Sequence, residues 1–335
     1  MPDTPAALTT GASLQDHAAI GKAAHIPVVA PTPVVSVSPV VLPAPGRAVD
    51  LQVRVSAPTT GRDLPIILLS HGHGSSNYLS SLNGYGPLAH FWAAHGFVVI
   101  QPTHLDSKML SVDLSGPEGA LFWRSRVQDM TRILDQLDQI EASVPGLSGR
   151  LDRSRVAVVG HSLGGHTAGM LLGARLTDTD GTVVDVAEPR IKAGVLLAAP
   201  GGGGDALSAF AAEHIPFFRN PSFAEMTTPT LVVAGDSDAS PHLTTRGADW
   251  HADPYFLSPG PKYLLTLFGA EHGLGGVSGY DAEETTDESP ERVAVVQRLT
   301  WTYLRTALFP EDPAWPVACA AFMDVPDPLG KIESK

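Results

Sequence analysis

The chain contains 335 residues, of which 43% are hydrophobic and 17% are charged, and it carries a formal net charge of -13. This composition is too apolar for a disordered chain, yet no segment approaches the roughly 18 consecutive apolar residues of a membrane-spanning helix. The negative charge, without a compensating stripe of Lys and Arg, disfavours binding to nucleic-acid phosphates. We therefore expect a soluble globular protein with no membrane span and no nucleic-acid partner.

Cys319 is the only cysteine of the chain. A single cysteine cannot form an intramolecular disulfide or a thiolate metal cluster, and its isolation favours a reducing compartment. The amino-terminal residues lack the basic and apolar regions of a secretory signal. A cytoplasmic location is therefore predicted.

The chain shows no internal repeat and no low-complexity linker, so one domain is predicted. An irregular N-terminal arm is expected over residues 1–30, with a short helix around 13–22. An α/β domain is expected over 31–309, with a Phe-rich segment at about 201–227 forming a short cap. The Pro-rich residues 310–335 are predicted to form a C-terminal surface extension.

Within the domain, apolar strands alternate with helical segments. Two Val-rich segments within 33–58 predict an antiparallel pair at a sheet edge, where prolines are tolerated. The strands that follow read as continuous apolar runs, which is typical of parallel strands buried on both faces. Further strands are predicted at 64–70, 97–102, 156–159, 191–200, 230–234 and 263–267. Helices are predicted at 87–95, 127–140, 166–176 and after residue 290. The order predicts a mostly parallel sheet flanked by helices.

Ser162 stands at the end of one predicted strand, with Gly160 and Gly164 two residues to either side. This spacing indicates a nucleophile elbow, a sharp strand-to-helix turn that exposes one side chain. A serine hydroxyl is a weak nucleophile at neutral pH. It needs a histidine base, and the histidine needs a carboxylate that orients it.

The ends of two later strands supply these groups in the chain order that such an elbow uses. His272 follows the last predicted strand and is the predicted base. Asp236 and Asp238 both follow the strand before it, and Asp238 is favoured as the acid because it lies further along the loop; Asp236 is expected to tie down the turn. His161 and His166 are expected to pack around the elbow.

A tetrahedral intermediate needs backbone amides aimed at its negative oxygen. The amide of Leu163, directly after the nucleophile, is one predicted donor. The second is the amide of His73, in the Gly-flanked loop after the strand 64–70. His71 and His73 also form a His-x-His pattern that can bind zinc, but no further ligand follows closely, so no metal is predicted.

Four segments together resemble the α/β-hydrolase superfamily: Ser-His-Gly-His-Gly at 70–74, His-Gly-Phe-Val-Val at 95–99, Thr-His-Leu-Asp at 103–106 and Gly-His-Ser-Leu-Gly-Gly at 160–165. Within it they resemble the branch of platelet-activating-factor acetylhydrolases, chlorophyllases and bacterial polyester hydrolases. The chain is also similar to dienelactone hydrolases, which use cysteine where this chain has Ser162. The resemblance implies an α/β-hydrolase fold and a serine carboxylic-ester hydrolase that forms an acyl-enzyme and needs no cofactor.

The predicted partner is a small-molecule ester, and a homodimer is one assembly that the sequence allows. Trp123, Phe217, Phe218 and Leu274 are candidate walls of the substrate pocket, with ordinary core packing as the alternative for each. The low charge of these segments indicates an uncharged, moderately apolar ester. A thioesterase, lactonase or amidase on the same triad stays open, as does a non-catalytic ligand-binding protein with the same fold.

Overall fold

The computed structural model describes residues 20–113 and 118–335. The predicted N-terminal arm and its short helix therefore lie largely outside the described residues. The part that is described begins with a 3-10 helix, Gly21–His25, and Ile26 behind it is fully buried. This segment packs against the domain.

The described residues contain twelve strands in two sheets. In chain order they are β1 (Val34–Leu42), β2 (Leu51–Pro58), β3 (Leu64–Ser70), β4 (Val98–Pro102), β5 (Leu151–His161), β6 (Arg175–Thr177), β7 (Val183–Val184), β8 (Ile191–Leu197), β9 (Pro221–Ser222), β10 (Thr230–Gly235), β11 (Lys262–Leu267) and β12 (Gly330–Ser334). The main sheet has nine strands in the order β1-β2-β4-β3-β5-β8-β10-β11-β12. The six strands from β4 to β11 run parallel, and β1, β2 and β12 pair antiparallel at the edges. This sheet confirms the predicted α/β-hydrolase fold class.

Helices cover both faces of the main sheet. They are α1 (Gly86–Ala94), α2 (Trp123–Asp135), α3 (Leu137–Ser143), α4 (Leu163–Leu171), α5 (Ala209–His214), α6 (Asp253–Phe256), α7 (Pro290–Leu308) and α8 (Ala314–Met323). Residues of α2, α3 and α4 belong to one apolar core, and residues of α1, α7 and α8 belong to the other. The predicted N-cap of the long terminal helix is confirmed, since the Ser289 hydroxyl accepts a hydrogen bond from the Arg292 amide at the start of α7.

The side chains of β3 alternate between the two faces of the sheet, which explains why the sheet needs helices on both sides. Successive side chains of a strand point to opposite faces. Ile66 and Leu68 belong to the core beneath α2–α4, whereas Ile67 and Leu69 belong to the core beneath α1 and α7. All four are buried, so the prediction of a strand buried on both faces is confirmed.

Two predicted helices have different bounds. The amphipathic run at 127–140 forms two helices, because Gln136 leaves the helical region with φ -116° and ψ 23°. Its side-chain amide donates to the carbonyl of Pro43, which anchors the break to the segment after β1. The helix predicted to extend to residue 176 ends at Leu171, because Gly173 has φ +109°. The chain then enters β6.

The C-terminal residues are part of the domain, which corrects the predicted surface extension. Trp315, Ala318 and Phe322 of α8 are buried in the core beneath α7. β12 then pairs with β11 and becomes the edge strand of the main sheet.

The predicted cap segment contains α5, two 3-10 helices and β9. β9 pairs with β6, which also pairs with β7, so a small three-stranded sheet lies beside the main one. Among the residues that the structure describes, no helix combines the length and apolar character needed to cross a membrane.

Candidate active site

The turn between β5 and α4 has the geometry that the glycine spacing predicts. Ser162 has φ 54° and ψ -121°, a backbone conformation that L-residues rarely adopt. A Cβ on Gly160 would lie 1.9 Å from the Gly164 carbonyl oxygen, and a Cβ on Gly164 would lie 2.1 Å from the Ser70 carbonyl oxygen. The turn is therefore so tight that both flanking positions require glycine.

Three side chains meet at this turn although they come from three different strand ends. His272, after β11, places Nε2 2.8 Å from the Ser162 Oγ. Its Nδ1 lies 2.9 Å and 3.1 Å from the two carboxylate oxygens of Asp238, which follows β10. Because the Nδ1–H group donates a hydrogen bond to the carboxylate, Nε2 is unprotonated and its lone pair faces the serine hydroxyl. This arrangement can remove the hydroxyl proton.

Asp238 is buried and bonds to a second histidine. His251, in the 3-10 helix Ala248–Ala252, places Nε2 3.3 Å from the Asp238 carboxylate, and its Nδ1 donates to the Ala199 carbonyl at 2.9 Å. Burial by itself raises the pKa of Asp238, but hydrogen bonds from His251 and His272 outweigh burial and hold the pKa well below its usual range. The carboxylate is therefore charged at neutral pH.

Asp236, the competing carboxylate, forms no hydrogen bond with His272 in the described part of the chain. Its Oδ1 accepts hydrogen bonds from the Gly269 amide at 2.7 Å and from the Ser237 hydroxyl at 3.1 Å. It ties the turn after β10 to the turn after β11, as expected of a residue that fixes loop geometry.

The two amides predicted to bind the oxyanion have no protein acceptor. Among residues 20–113 and 118–335, neither the His73 amide nor the Leu163 amide donates to another protein atom. A Cβ on Gly72 would lie 3.3 Å from the Ser162 Cβ, so the loop that carries His73 packs directly on Ser162.

A buried ion pair supports residues 71–74, which we call the oxyanion loop after their predicted role. Arg126 of α2 donates from Nε and Nη2 to the two Asp106 carboxylate oxygens, at 2.9 Å each, and from Nη1 to the His71 carbonyl at 2.8 Å. Asp106 also accepts a hydrogen bond from His73 Nδ1 at 2.9 Å. Burial alone raises the pKa of Asp106, but the Arg126 charge and the His73 hydrogen bond outweigh it and lower that pKa.

Three of the four predicted pocket residues lie together. The Trp123 and Phe217 rings stack with centroids 5.5 Å apart, and Phe218 lies 4.6 Å from Phe217. His166, one turn after Ser162 in α4, contacts this group with its ring centroid 5.1 Å from that of Phe218. Trp123, Phe217 and Phe218 are all buried in the core beneath α2–α4, as the core-packing alternative expects, and their role as pocket walls stays a prediction.

The fourth predicted pocket residue, Leu274, lies elsewhere. Its side chain is fully buried in the core beneath α1 and α7, on the opposite face of the sheet from the aromatic group. Its φ is 48°, in the left-handed region. For Leu274 the structure supports core packing, the alternative that the sequence left open, and not a pocket wall shared with the aromatic group.

One cluster in the described part of the chain has the spacing of metal ligands. It consists of Asp238, His251 and His272, whose ligand atoms lie within 4.8 Å of one another. The same Nδ1 of His272 makes the hydrogen bond to Asp238, so an ion bound there would break the contact that orients His272. His71 and His73 bond to different neighbours, the first to a backbone amide and the second to a carboxylate.

Sequence reasoning missed Tyr85, Arg126 and His251, which all bond to the site. Arg126 lies between Trp123 and Met130 on the apolar face of α2, and an arginine on such a face signals a buried ion pair. The spacing could therefore have identified Arg126, although not its partner. No local pattern marks Tyr85 or His251, because their partners lie far away in the chain.

Part of the chain is similar to proteins named cutinases. Cutinase est2 of Thermobifida alba is 26% identical over 201 residues, which cover 59% of this chain and 51% of that protein. Cutinase 1 of Thermobifida cellulosilytica and the cutinase of Thermobifida fusca are each 27% identical over 183 residues, or 54% of this chain and 51% and 44% of those proteins. The chain thus spans about half the length of the curated relatives it matches. No protein-family model matches it.

Proposed function

We propose that this chain, which has the α/β-hydrolase fold and is distantly similar to cutinases, is a serine hydrolase of carboxylic esters. The observation that carries the proposal is the unbroken hydrogen-bonded line from the Asp238 carboxylate through His272 to Ser162 Oγ. The similarity to cutinases, which are polyester hydrolases, supports ester bonds as the target.

The proposed reaction has two halves, and in each half His272 first takes a proton and then donates it. Ser162 Oγ attacks the ester carbonyl carbon while His272 Nε2 takes the hydroxyl proton, and the Asp238 carboxylate stabilises the imidazolium. The amides of His73 and Leu163 bind the carbonyl oxygen as it becomes negative. The carbon–oxygen bond to the alcohol then breaks, the alcohol leaves with the proton from His272, and an acyl-enzyme on Ser162 remains.

Water completes the cycle. It attacks the acyl carbon while His272 takes its proton, the bond to Ser162 Oγ breaks, and the serine regains a proton from His272. The carboxylic acid leaves, and no cofactor is required. The aromatic group of Trp123, Phe217 and Phe218 supports an uncharged, moderately apolar substrate, because a charged group beside it would lose hydration without gaining a partner.

A set of matched chromogenic substrates tests this assignment. An ester, a thioester and an anilide with the same short acyl group are compared by kcat/KM, and the ester is expected to be hydrolysed fastest. Esters with longer uncharged acyl groups are expected to react, and esters with a charged acyl group are expected to react poorly. A higher kcat/KM for the anilide than for the ester would assign the site to amide hydrolysis instead.

A further inference from the structure

A chain of hydrogen bonds connects the oxyanion loop to the loop of His272. The Gly72 amide donates to the Tyr85 hydroxyl at 2.9 Å, and that hydroxyl lies 2.9 Å from His161 Nδ1. His161 Nε2 lies 2.8 Å from the carbonyl oxygen of His272. Tyr85 and His161 are buried, so no solvent competes for these bonds.

The two ends of this chain fix the direction of its hydrogen bonds when His161 is neutral. A backbone N–H only donates and a backbone carbonyl only accepts. The Gly72 amide therefore donates to the Tyr85 oxygen, and His161 Nε2 must carry the proton that it donates to His272. In neutral His161, Nδ1 is then an acceptor, and the Tyr85 hydroxyl donates to it.

The surroundings of His161 agree with the neutral form. Burial, followed by the charge that His272 can carry, lowers the pKa of His161 to about 3. The titratable or charged side chains that face it are Tyr85, His272, Asp238 and His251. At neutral pH the hydrogen bonds described above are therefore all in place.

Tyr85 is also held in an unfavourable backbone conformation. Its φ of 61° and ψ of 20° lie in the left-handed region, which is unfavourable for a residue with a Cβ. Its amide donates to the Ser278 carbonyl at 2.8 Å, which anchors it to the segment after His272. A strained backbone conformation persists only where the surrounding contacts hold it in place, and strained residues of this kind often lie at functional sites.

The geometry matters because the oxyanion donors and the base serve the same attack: the amides bind the ester carbonyl oxygen while His272 takes the proton of the attacking hydroxyl. The oxyanion loop follows β3 and His272 follows β11, and β5, β8 and β10 separate these strands in the sheet. The two loops therefore follow strands that do not pair with each other, and four strand pairs and their registers lie between them. Tyr85 and His161 bridge the distance between the two loops and end on the carbonyl of His272 itself.

We propose that Tyr85 and His161 are positioning residues, a buried two-residue link that fixes the His73 amide relative to the His272 imidazole. The inference rests on the proposed ester hydrolysis. The link acts in the transition state, when charge grows on the carbonyl oxygen and the imidazole at the same time. A disturbed link should therefore lower kcat and leave KM nearly unchanged.

Tyr85→Phe tests the link because it removes the hydroxyl and keeps the ring. We expect kcat for a chromogenic ester to fall by about 10- to 100-fold, the loss typical of a misplaced catalytic group. KM should stay within about twofold. The control is Tyr303→Phe, since the buried Tyr303 hydroxyl has no hydrogen-bond partner among the described residues. That variant should keep the wild-type kcat, and thermal melting should show both variants folded.

A double-mutant cycle separates positioning from general destabilisation. If Tyr85 and His161 act as one link, Tyr85→Phe combined with His161→Leu should lose no more kcat than His161→Leu alone. Losses that multiply, or a Tyr85→Phe kcat equal to that of Tyr303→Phe, would overturn the link and leave the proposed function standing. If the unsubstituted chain hydrolyses no ester, the proposed function fails and the inference fails with it.

Discussion

The two aspartates after β10 show how two residues of one loop acquire different tasks. Asp238 is 1% exposed and bonds to two imidazoles, whereas Asp236 is exposed and bonds to a backbone amide of the next turn. A carboxylate that orients a histidine must be fixed and partly desolvated, because its charge then stabilises the imidazolium effectively. Only Asp238 meets this condition.

Paired substitutions measure the difference. We expect Asp238→Asn to lower kcat by about 10⁴-fold, because the amide favours the wrong tautomer of His272 and cannot stabilise its charged form. Asp236→Asn should change kcat by less than about tenfold, since it alters only loop contacts. Ester hydrolysis at neutral pH, with melting temperatures for both variants, provides the measurement. Equal losses in the two variants would contradict the assignment of the acid.

At the same scale, the sequence predicts residues whose role follows from their place at a strand end. In this way it predicts Ser162, Asp238 and His272, and the structure brings the three side chains together. It does not predict His251 and Tyr85, because their contacts join separate loops and leave no local pattern. The residue type of Leu274 does not show which face of the sheet its side chain will reach.

The candidate site depends on the turn between β5 and α4. Two glycines, one in this turn and one further along α4, differ in the space around them. A Cβ on Gly164 would lie 2.1 Å from the Ser70 carbonyl oxygen and 2.7 Å from that of His71. Gly169 lies in the same helix, α4, but a Cβ there would meet only ordinary contacts, the nearest being Ala174 Cβ at 3.9 Å. The first position therefore has no room for a methyl group, and the second does.

Gly164→Ala should lower the free energy of unfolding by about 3 kcal/mol or more, because two backbone carbonyls would have to move. It should also abolish ester hydrolysis. Gly169→Ala should leave activity intact and change stability by at most about 1 kcal/mol, in the stabilising direction, since alanine is the better helix former. Urea unfolding of both variants is the measurement. A Gly164→Ala protein as stable and active as Gly169→Ala would show that the turn is looser than described.

Periodicity predicted most elements but not every boundary. The core strands were recognised because strands buried on both faces read as continuous apolar runs. Periodicity does not predict the break at Gln136, because the hydrogen bond from its side chain to Pro43 joins two distant segments of the chain. The end of α4 could have been placed at Gly173, since glycine after a helix commonly adopts positive φ.

The C-terminal residues complete the nine-stranded main sheet. The prolines of this segment favoured a surface extension, but Pro316 lies in the first turn of α8, where a missing amide proton does no harm. β12 then covers the edge of β11, the strand that leads to His272. An uncovered edge would leave the backbone groups of β11 unpaired on one side.

The proposed function requires Ser162 to be the nucleophile. An organophosphonate ester that mimics the tetrahedral intermediate tests this role directly, with the labelled peptide identified by mass spectrometry. We predict one adduct per chain, on Ser162, and a loss of ester hydrolysis in proportion to labelling. Ser162→Ala should be folded, unlabelled at that peptide and inactive. An unlabelled wild-type protein, or ester hydrolysis that persists in Ser162→Ala, would contradict the assignment of Ser162 as the nucleophile.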